Sequence, residues 1–290
     1  MDRPGQESKK PGRGAPPGDV GYFLDGIRIP YLYHFGLGPA VVHPRLIDKV
    51  DLHSGVYPAS FGRYAGAIVS SSSTKPSPDF TAEGAIRLVD AGAFAEAPLL
   101  DGKMHVLVGG RYSYTAALLS LVAPDTSVDY RDYQARVVYE PTPKDTFTFL
   151  TFGAYDFASQ VRSSGVKETL FDSQFYRFDL RYDRSIDENS SLSAAVTLGY
   201  DQSAFEGAQF AGDLMIGGRA SASHRFSEMV EVRGGLDTYV DHFSTGIPDL
   251  QDLGDQEYAQ QIAIFQSRND VASGIYADVA LRLSKRIELT

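Results

Sequence analysis

His34, His43 and His53 lie close together with Asp48 and Asp51 nearby, and imidazole and carboxylate are groups that hold transition metals. Their spacings of nine and ten residues match none of the compact ligand pairs of real sites, so they read as loop histidines and no metal is expected. Gly36-Leu37-Gly38 is glycine-rich enough for a phosphate loop, yet no Lys-Ser or Lys-Thr follows it and no helix is evident. It reads as turn glycine. No Gly-x-Ser-x-Gly elbow is present. Asp179 and Asp183 could form a glycosidase carboxylate pair, but they recur on one face of one alternating segment and read better as lining. Cysteine is absent, which excludes disulfides, zinc-thiolate sites and thiol catalysis. The expectation is no catalytic residue, no cofactor and no enzyme.

The elements that carry these residues are set by composition and periodicity. The chain has 290 residues, 43% apolar and 22% charged, which is too apolar for a disordered tail. Its 37 Asp and Glu against 27 Lys and Arg give a net charge of -10, the wrong sign for a nucleic-acid partner. Tyr and Phe number 17 each and Gly 28, with no Trp, a mixture that leans to β-structure. No run approaches the ~20 apolar residues of a membrane-spanning helix, and residues 1–17 lack the apolar core of a signal peptide. Hydropathy does not separate a soluble protein from a β-barrel, whose polar inner and apolar outer residues average out.

Periodicity does. From about residue 80 onward apolar and polar residues alternate. Tyr176, Phe178, Leu180 and Tyr182 interleave with Arg177, Asp179, Arg181 and Asp183; Leu192, Ala194, Val196, Leu198 and Tyr200 follow the same rule. So do Val271, Ile275, Ala277, Val279, Leu281 and Leu283, and less cleanly the segments 103–115, 129–140, 145–158, 211–227 and 229–243. These are antiparallel strands long enough for the ~9–11 tilted residues of a membrane crossing. Short turns at 99–103, 140–145, 184–190, 226–229 and 284–286 alternate with longer loops at 116–128, 158–169, 203–210 and 244–269, the asymmetry of an outer-membrane barrel. Tyr112, Tyr114, Tyr133, Tyr139, Tyr155, Tyr176, Tyr182 and Tyr200 are placed toward strand ends, as interfacial girdles would be. Arg111, Asp132, Arg136, Arg177, Asp179, Arg181, Asp183, Arg219, Arg225, Glu231, Arg233 and Asp237 fall on the opposite faces. Facing lipid, each Arg would cost about 2–4 kcal/mol at mid-bilayer, so these charges are expected to line a lumen and to pair with Lys49, Asp51 and Arg63.

Residues 18–78 have a different texture, rich in Gly, Pro and His, and 70–78, four serines then Thr74-Lys75-Pro76-Ser77-Pro78, reads as a linker. Within this region Tyr22-Phe23-Leu24-Asp25-Gly26-Ile27-Arg28-Ile29-Pro30 precedes Pro44-Arg45-Leu46-Ile47-Asp48-Lys49-Val50-Asp51-Leu52. Gly55-Val56-Tyr57-Pro58-Ala59, Phe61-Gly62-Arg63-Tyr64-Ala65-Gly66 and Thr74-Lys75-Pro76 follow. This order resembles the later part of the plug domain of TonB-dependent outer-membrane receptors. The plug motif is carried by Asp25, Gly26, Pro30, Gly55, Tyr57, Pro58, Gly62, Arg63 and Gly66. Asp25-Gly26 suits a hairpin turn, and Gly55, Gly62 and Gly66 would let the chain fold closely inside a lumen.

The fold class expected is all-β: long antiparallel strands of a partial transmembrane outer-membrane β-barrel, about ten with an eleventh starting at Ile287, preceded by a partial plug. The division is 1–17 flexible lead, 18–78 partial plug and 79–290 partial barrel. Large outer-membrane transporters close twenty-two strands, and the coupling box, signal peptide and first plug half have no counterpart here, so an internal fragment or truncated product is expected. The resemblance implies ligand-gated uptake of a scarce nutrient such as an iron-siderophore or cobalamin, in the outer membrane of a Gram-negative cell. Its partners would be a TonB-type energy-coupling complex, outer-membrane lipid and a small nutrient, with no nucleic acid. The alternatives are a passive porin or outer-membrane adhesion barrel, or a soluble extracellular β-protein.

Overall fold

The computed structural model describes residues 20–36, 38–55, 57–64, 66–205, 209–246, 267–284 and 287–289. Two sheets account for almost all of its regular structure. The smaller has four strands, β1 (Gly21–Leu24), β2 (Ile27–Ile29), β3 (Ile47–His53) and β4 (Ile68–Ser73), in the order β2-β1-β4-β3. β1 and β2 form a hairpin, β4 runs parallel to β1, and β3 is antiparallel to β4.

The larger sheet has eleven strands: β5 (Thr81–Ile86), β6 (Asp90–Leu99), β7 (Met104–Ser113), β8 (Thr126–Thr142), β9 (Asp145–Val161), β10 (Lys167–Ser185), β11 (Ser190–Phe205), β12 (Gln209–Arg225), β13 (Val230–Gly246), β14 (Arg268–Ser284) and β15 (Ile287–Leu289). They pair in chain order, each antiparallel to the next. Among the described residues β5 and β15 each pair with one neighbour, so the sheet is open at both ends. The alternation sorts as expected. Phe178 and Leu180 are 45% and 60% exposed, while Arg177 and Asp179 between them are buried against the small sheet.

Register places aromatic rings in two rows on the outer face. Tyr133 is opposite Gly153, which is opposite Tyr176, which is opposite Tyr200; lower down, Tyr139, Phe147 and Tyr182 align. Six residues along β10 separate Tyr176 from Tyr182, about 20 Å at 3.3 Å per residue. At a strand tilt of about 35–45° this projects to about 15 Å along a barrel axis, within the ~25 Å apolar band of an outer-membrane wall.

Several sequence expectations change. The serines at 70–73 are not linker: β4 is a central strand of the small sheet. Their small side chains join its hydrogen bonding, Ser71 Oγ donating to the Phe23 carbonyl at 2.7 Å. The upper tyrosines sit mid-strand, because 16- to 19-residue strands overrun the aromatic rows. Tyr114 lies beyond β7, its hydroxyl donating to the Arg87 carbonyl. The loop expected at 158–169 shrinks to 162–166, and 116–128 contains a short helix, α1 (Thr115–Leu119). The loop expected at 203–210 is largely strand at its two ends, and its centre, like most of 244–269, lies outside the described residues.

The apolar core sits between the two sheets. Leu24, Ile27, Ile29, Val41, Val42 and Leu46 pack on Phe94, Leu107, Leu150, Phe152, Ala154 and Phe175 of the large sheet's inner face. That inner face is therefore apolar over β6–β10 and charged around and beyond this patch.

Candidate functional site

The chemistry of the molecule is concentrated where the small sheet meets the inner face of the large one. Asp25 and Gly26 close the β1–β2 hairpin, both with positive φ, at 49° and 79°. This is the primed turn that matches strand twist and favours Asp-Gly. Asp25 Oδ1 also accepts from the Ser73 amide at 2.9 Å, tying the turn to the end of β4.

Four arginines of the large sheet reach across the interface, and each does the same two things. Arg111 donates to the Ala40 carbonyl, Arg136 to Thr74 at 2.5 Å, Arg177 to Arg28 at 2.7 Å and Arg219 to Gly26 at 3.3 Å. Each is also neutralised by an acid of its own sheet: Asp132 at 2.6 Å, Glu96 at 3.1 Å, Asp201 at 2.7 Å and Asp179 at 2.8 Å. The fork of the guanidinium allows this, since it presents several donors in fixed directions. Gly199 makes room for one of them, because a Cβ there would lie 3.1 Å from Arg177 Nη1. Two arginines of the small sheet's segment reciprocate: Arg28 pairs with Asp241 at 2.7 Å and Asp213 at 3.3 Å, and Arg63 pairs with Asp237 at 2.5 Å.

At the other end of the interface His34 is fully buried, its ring nitrogens 2.6 Å from Asp156 Oδ1 and 3.1 Å from Asp132 Oδ2. Burial alone would push the imidazole pKa down. Hydrogen bonds from the ring to Asp132 and Asp156, with the charges of those carboxylates, outweigh it and hold the pKa above its ordinary 6.5. His43 behaves oppositely: it stacks on Phe94, 4.9 Å between centroids, and burial lowers its pKa. A cavity of about 490 Å³ opens between the β1–β2 turn, residues 60–64 and β12–β14, with Arg63, Tyr64, Arg219, Asp237, Tyr239 and Tyr276 on its walls.

No family model matches the chain, and no curated protein matches it. Solved structures do. It is similar to the siderophore receptor PirA from Acinetobacter baumannii, at TM-score 0.64 and 14% identity over 94% of this chain and 48% of that one. The FrpB iron transporter from Neisseria meningitidis (F3-3 variant) gives 0.63 and 12%, over 94% of this chain and 50% of its own. The copper transporter OprC gives 0.65 and 12%, over 95% and 46%. The fold is that of a TonB-dependent outer-membrane receptor. The chain spans about half the length of the solved structures it matches.

The small sheet falls within residues 18–78 and the large sheet within 79–290, the two parts expected from sequence to be plug and barrel wall. Most of the charges singled out from sequence lie at or beside this interface, and Asp237 pairs with Arg63 as expected, but the arginines of the large sheet bind differently from the expectation. Arg111, Arg136, Arg177 and Arg219 hold backbone carbonyls rather than plug charges. Asp132, Asp179 and Asp237 serve as their partners or as that of Arg63. Arg181 lies 3.2 Å from Asp183 and 3.8 Å from Asp25. Arg233, Arg225 and Glu231 form a separate cluster with Asp278 and Arg282. Lys49 and Asp51 pair with each other at 2.9 Å on exposed β3 and do not meet the wall.

Of the plug motif, Asp25, Gly26 and Arg63 reach the interface. Tyr57 donates to the Tyr64 carbonyl, Pro58 precedes a single 3₁₀ turn (Ala59–Phe61), and Pro30 is exposed. A Cβ added at Gly55 would meet nothing within 4 Å, and one at Gly62 only the Ala59 carbonyl oxygen at 4.0 Å, so neither is a close-approach glycine. Gly66 forms a bend in the loop before β4. Sequence reading took His34 for a loop histidine and missed Glu96 and Asp156. The signal for the last was present: Asp156 shares its strand face with Phe152 and Ala154.

Proposed function

We propose that the chain forms the later plug and part of the wall of a TonB-dependent outer-membrane receptor that takes up a scarce nutrient, of the class of iron-siderophores, other metal complexes or cobalamin. The observation that carries this reading is the wall's grip on plug backbone through Arg111, Arg136, Arg177 and Arg219. Contacts to carbonyls in a polar interface can be exchanged for water one at a time, so a plug held this way is seated firmly yet is displaceable by a pull from the periplasm. Nutrient would bind to the outer loops and plug tips, and energy from a TonB-type complex of the inner membrane would move the plug. The 490 Å³ cavity beside Arg63 and Asp237 supplies a polar start for the passage so opened. The role is transport and reception, as for the neighbouring structures, rather than catalysis. A passive porin is the weaker reading, because a four-stranded sheet occupies the inner face that a porin would leave open.

Membrane fractionation and uptake test this together. The protein is expected in the outer-membrane fraction, and disruption of its gene is expected to abolish energy-dependent accumulation of at least one labelled ferric siderophore, metal complex or cobalamin. Unchanged uptake of all of them, or recovery of the protein in a soluble fraction, overturns the assignment.

A further inference from the structure

His34 opens a tight tip of the plug-like segment. Its amide donates to the Pro39 carbonyl at 3.1 Å, the Gly38 amide donates to its carbonyl at 2.7 Å, and an isolated antiparallel bridge joins Tyr33 to Ala40. The imidazole is the tip's own ionisable contact with the wall, and Arg111 of β7 also holds the tip's Ala40 carbonyl. It lies between carboxylates from two different strands, Asp132 on β8 and Asp156 on β9. A ring nitrogen facing a carboxylate at hydrogen-bond distance must donate, and both nitrogens do so only in the protonated ring. The surrounding charges require the same state. Arg111 binds Asp132 from β7, so Arg111, Asp132, His34 and Asp156 form a string of alternating charge that balances only with His34 cationic.

The remaining groups that face the ring do not supply a substitute charge. Tyr130 of β8 stacks on it, 4.7 Å between centroids, and donates its hydroxyl to Asp90 of β6 at 2.6 Å. Asp90 is in turn paired with Arg87 at 2.9 Å. Tyr31, on the same segment as His34, has a hydroxyl that burial keeps neutral. The Phe35 amide donates to Asp156 Oδ2 at 3.4 Å, and Phe171 of β10 sets an apolar ring beside Phe35.

We propose that His34 is a proton-dependent fastener: as an imidazolium it joins the Tyr33–Phe35 end of the tip to β8 and β9, and loss of that proton frees this end while Arg111 keeps its hold on the Ala40 carbonyl. A neutral ring keeps one N–H, leaves one buried carboxylate facing a nitrogen lone pair, and gives the buried site a net negative charge. The direction follows from the raised pKa. The fastening is fully present below the ordinary value of 6.5 and is lost as pH rises through the higher folded value. The inference rests on these contacts and not on nutrient uptake, so each can fail without the other.

The whole chain has no cysteine, so Tyr33→Cys, at a position 49% exposed, accepts a single nitroxide label in detergent micelles. An immobile spectrum is expected at pH 6, with a mobile component becoming dominant at higher pH. Its midpoint should match the titration of the His34 ring nitrogens followed by nitrogen-15 NMR. In a His34→Gln background the spectrum should no longer depend on pH. Asp156→Asn, which keeps an acceptor but removes a charge, should move the midpoint down by about one pH unit. It serves as the test should the glutamine variant not fold. A ring already neutral at pH 6, a spectrum unchanged across the His34 titration, or an unmoved midpoint in Asp156→Asn overturns the proposal.

Discussion

Arg177 shows most clearly how one side chain can serve two surfaces. Its guanidinium is fully buried, one nitrogen on the Arg28 carbonyl of the plug-like hairpin and two on Asp201 of β11. Removing it strands a carbonyl and a carboxylate in the same place, and breaking a buried pair from one side costs about 3–5 kcal/mol. Arg177→Met is therefore expected to lower the unfolding free energy of the micelle-bound chain by that order, read as a lowered denaturant midpoint. Arg177→Lys, which keeps charge but loses the fork, is expected to fall between the two. Equal midpoints for the methionine and wild-type proteins would mean that the contact is incidental. None of this was readable from Arg177 in the sequence. Alternation gave the face it occupies, but a backbone carbonyl carries no residue signature, so the expected partners were charged side chains such as Lys49 and Asp51, which instead pair together on β3.

Alternation succeeds for strands because each has one wet and one apolar face. It made β10, β11 and β14 legible, and the pairing of Tyr176 with Tyr200 aligns the apolar rows of β10 and β11. It falters where that division fails. The serines of β4 carry no apolar signal, yet the strand is fixed from both sides by β1 and β3 and by hydrogen bonds such as that from Ser71. Leu150, Phe152 and Ala154 face inward, so β9 is apolar on both sides and its core-forming role was hidden. Strand ends on either side of 162–166 were missed because the polar residues there continue the ladder above the aromatic rows. The apolar band itself makes a direct prediction. The chain has no tryptophan, so Leu180→Trp, between the Tyr176 and Tyr182 rings, introduces a single reporter. In micelles of brominated detergent it should lose most of its emission, whereas Ile186→Trp, in the turn beyond Tyr182, should keep most of it. Equal quenching at the two positions would place the band elsewhere.

An eleven-stranded sheet with two open sides sets how the described structure behaves in lipid. β15 pairs only with Leu281, Arg282 and Ser284, so most of one side of β14 has no partner among the described residues, and β5 has none beyond β6. Unpaired backbone groups cost several kcal/mol each in hydrocarbon, where no water can replace the missing bonds. The sheet also cannot remove its edges by closing on itself around its contents: small barrels have interiors just filled by side chains, and here the inner face already holds a four-stranded sheet. Detergent micelles let water reach the edges; a bilayer core does not. The 290-residue chain refolded by itself into liposomes is therefore expected to form aggregates or edge-paired oligomers, with no steady single-channel conductance and no nutrient transport. Electrophoresis without heating and planar-bilayer recording test this. A compact, heat-modifiable monomer that seals the membrane with its plug in place would show that β5 and β14 find partners within this chain, and the open-sheet account of its energetics would have to be abandoned.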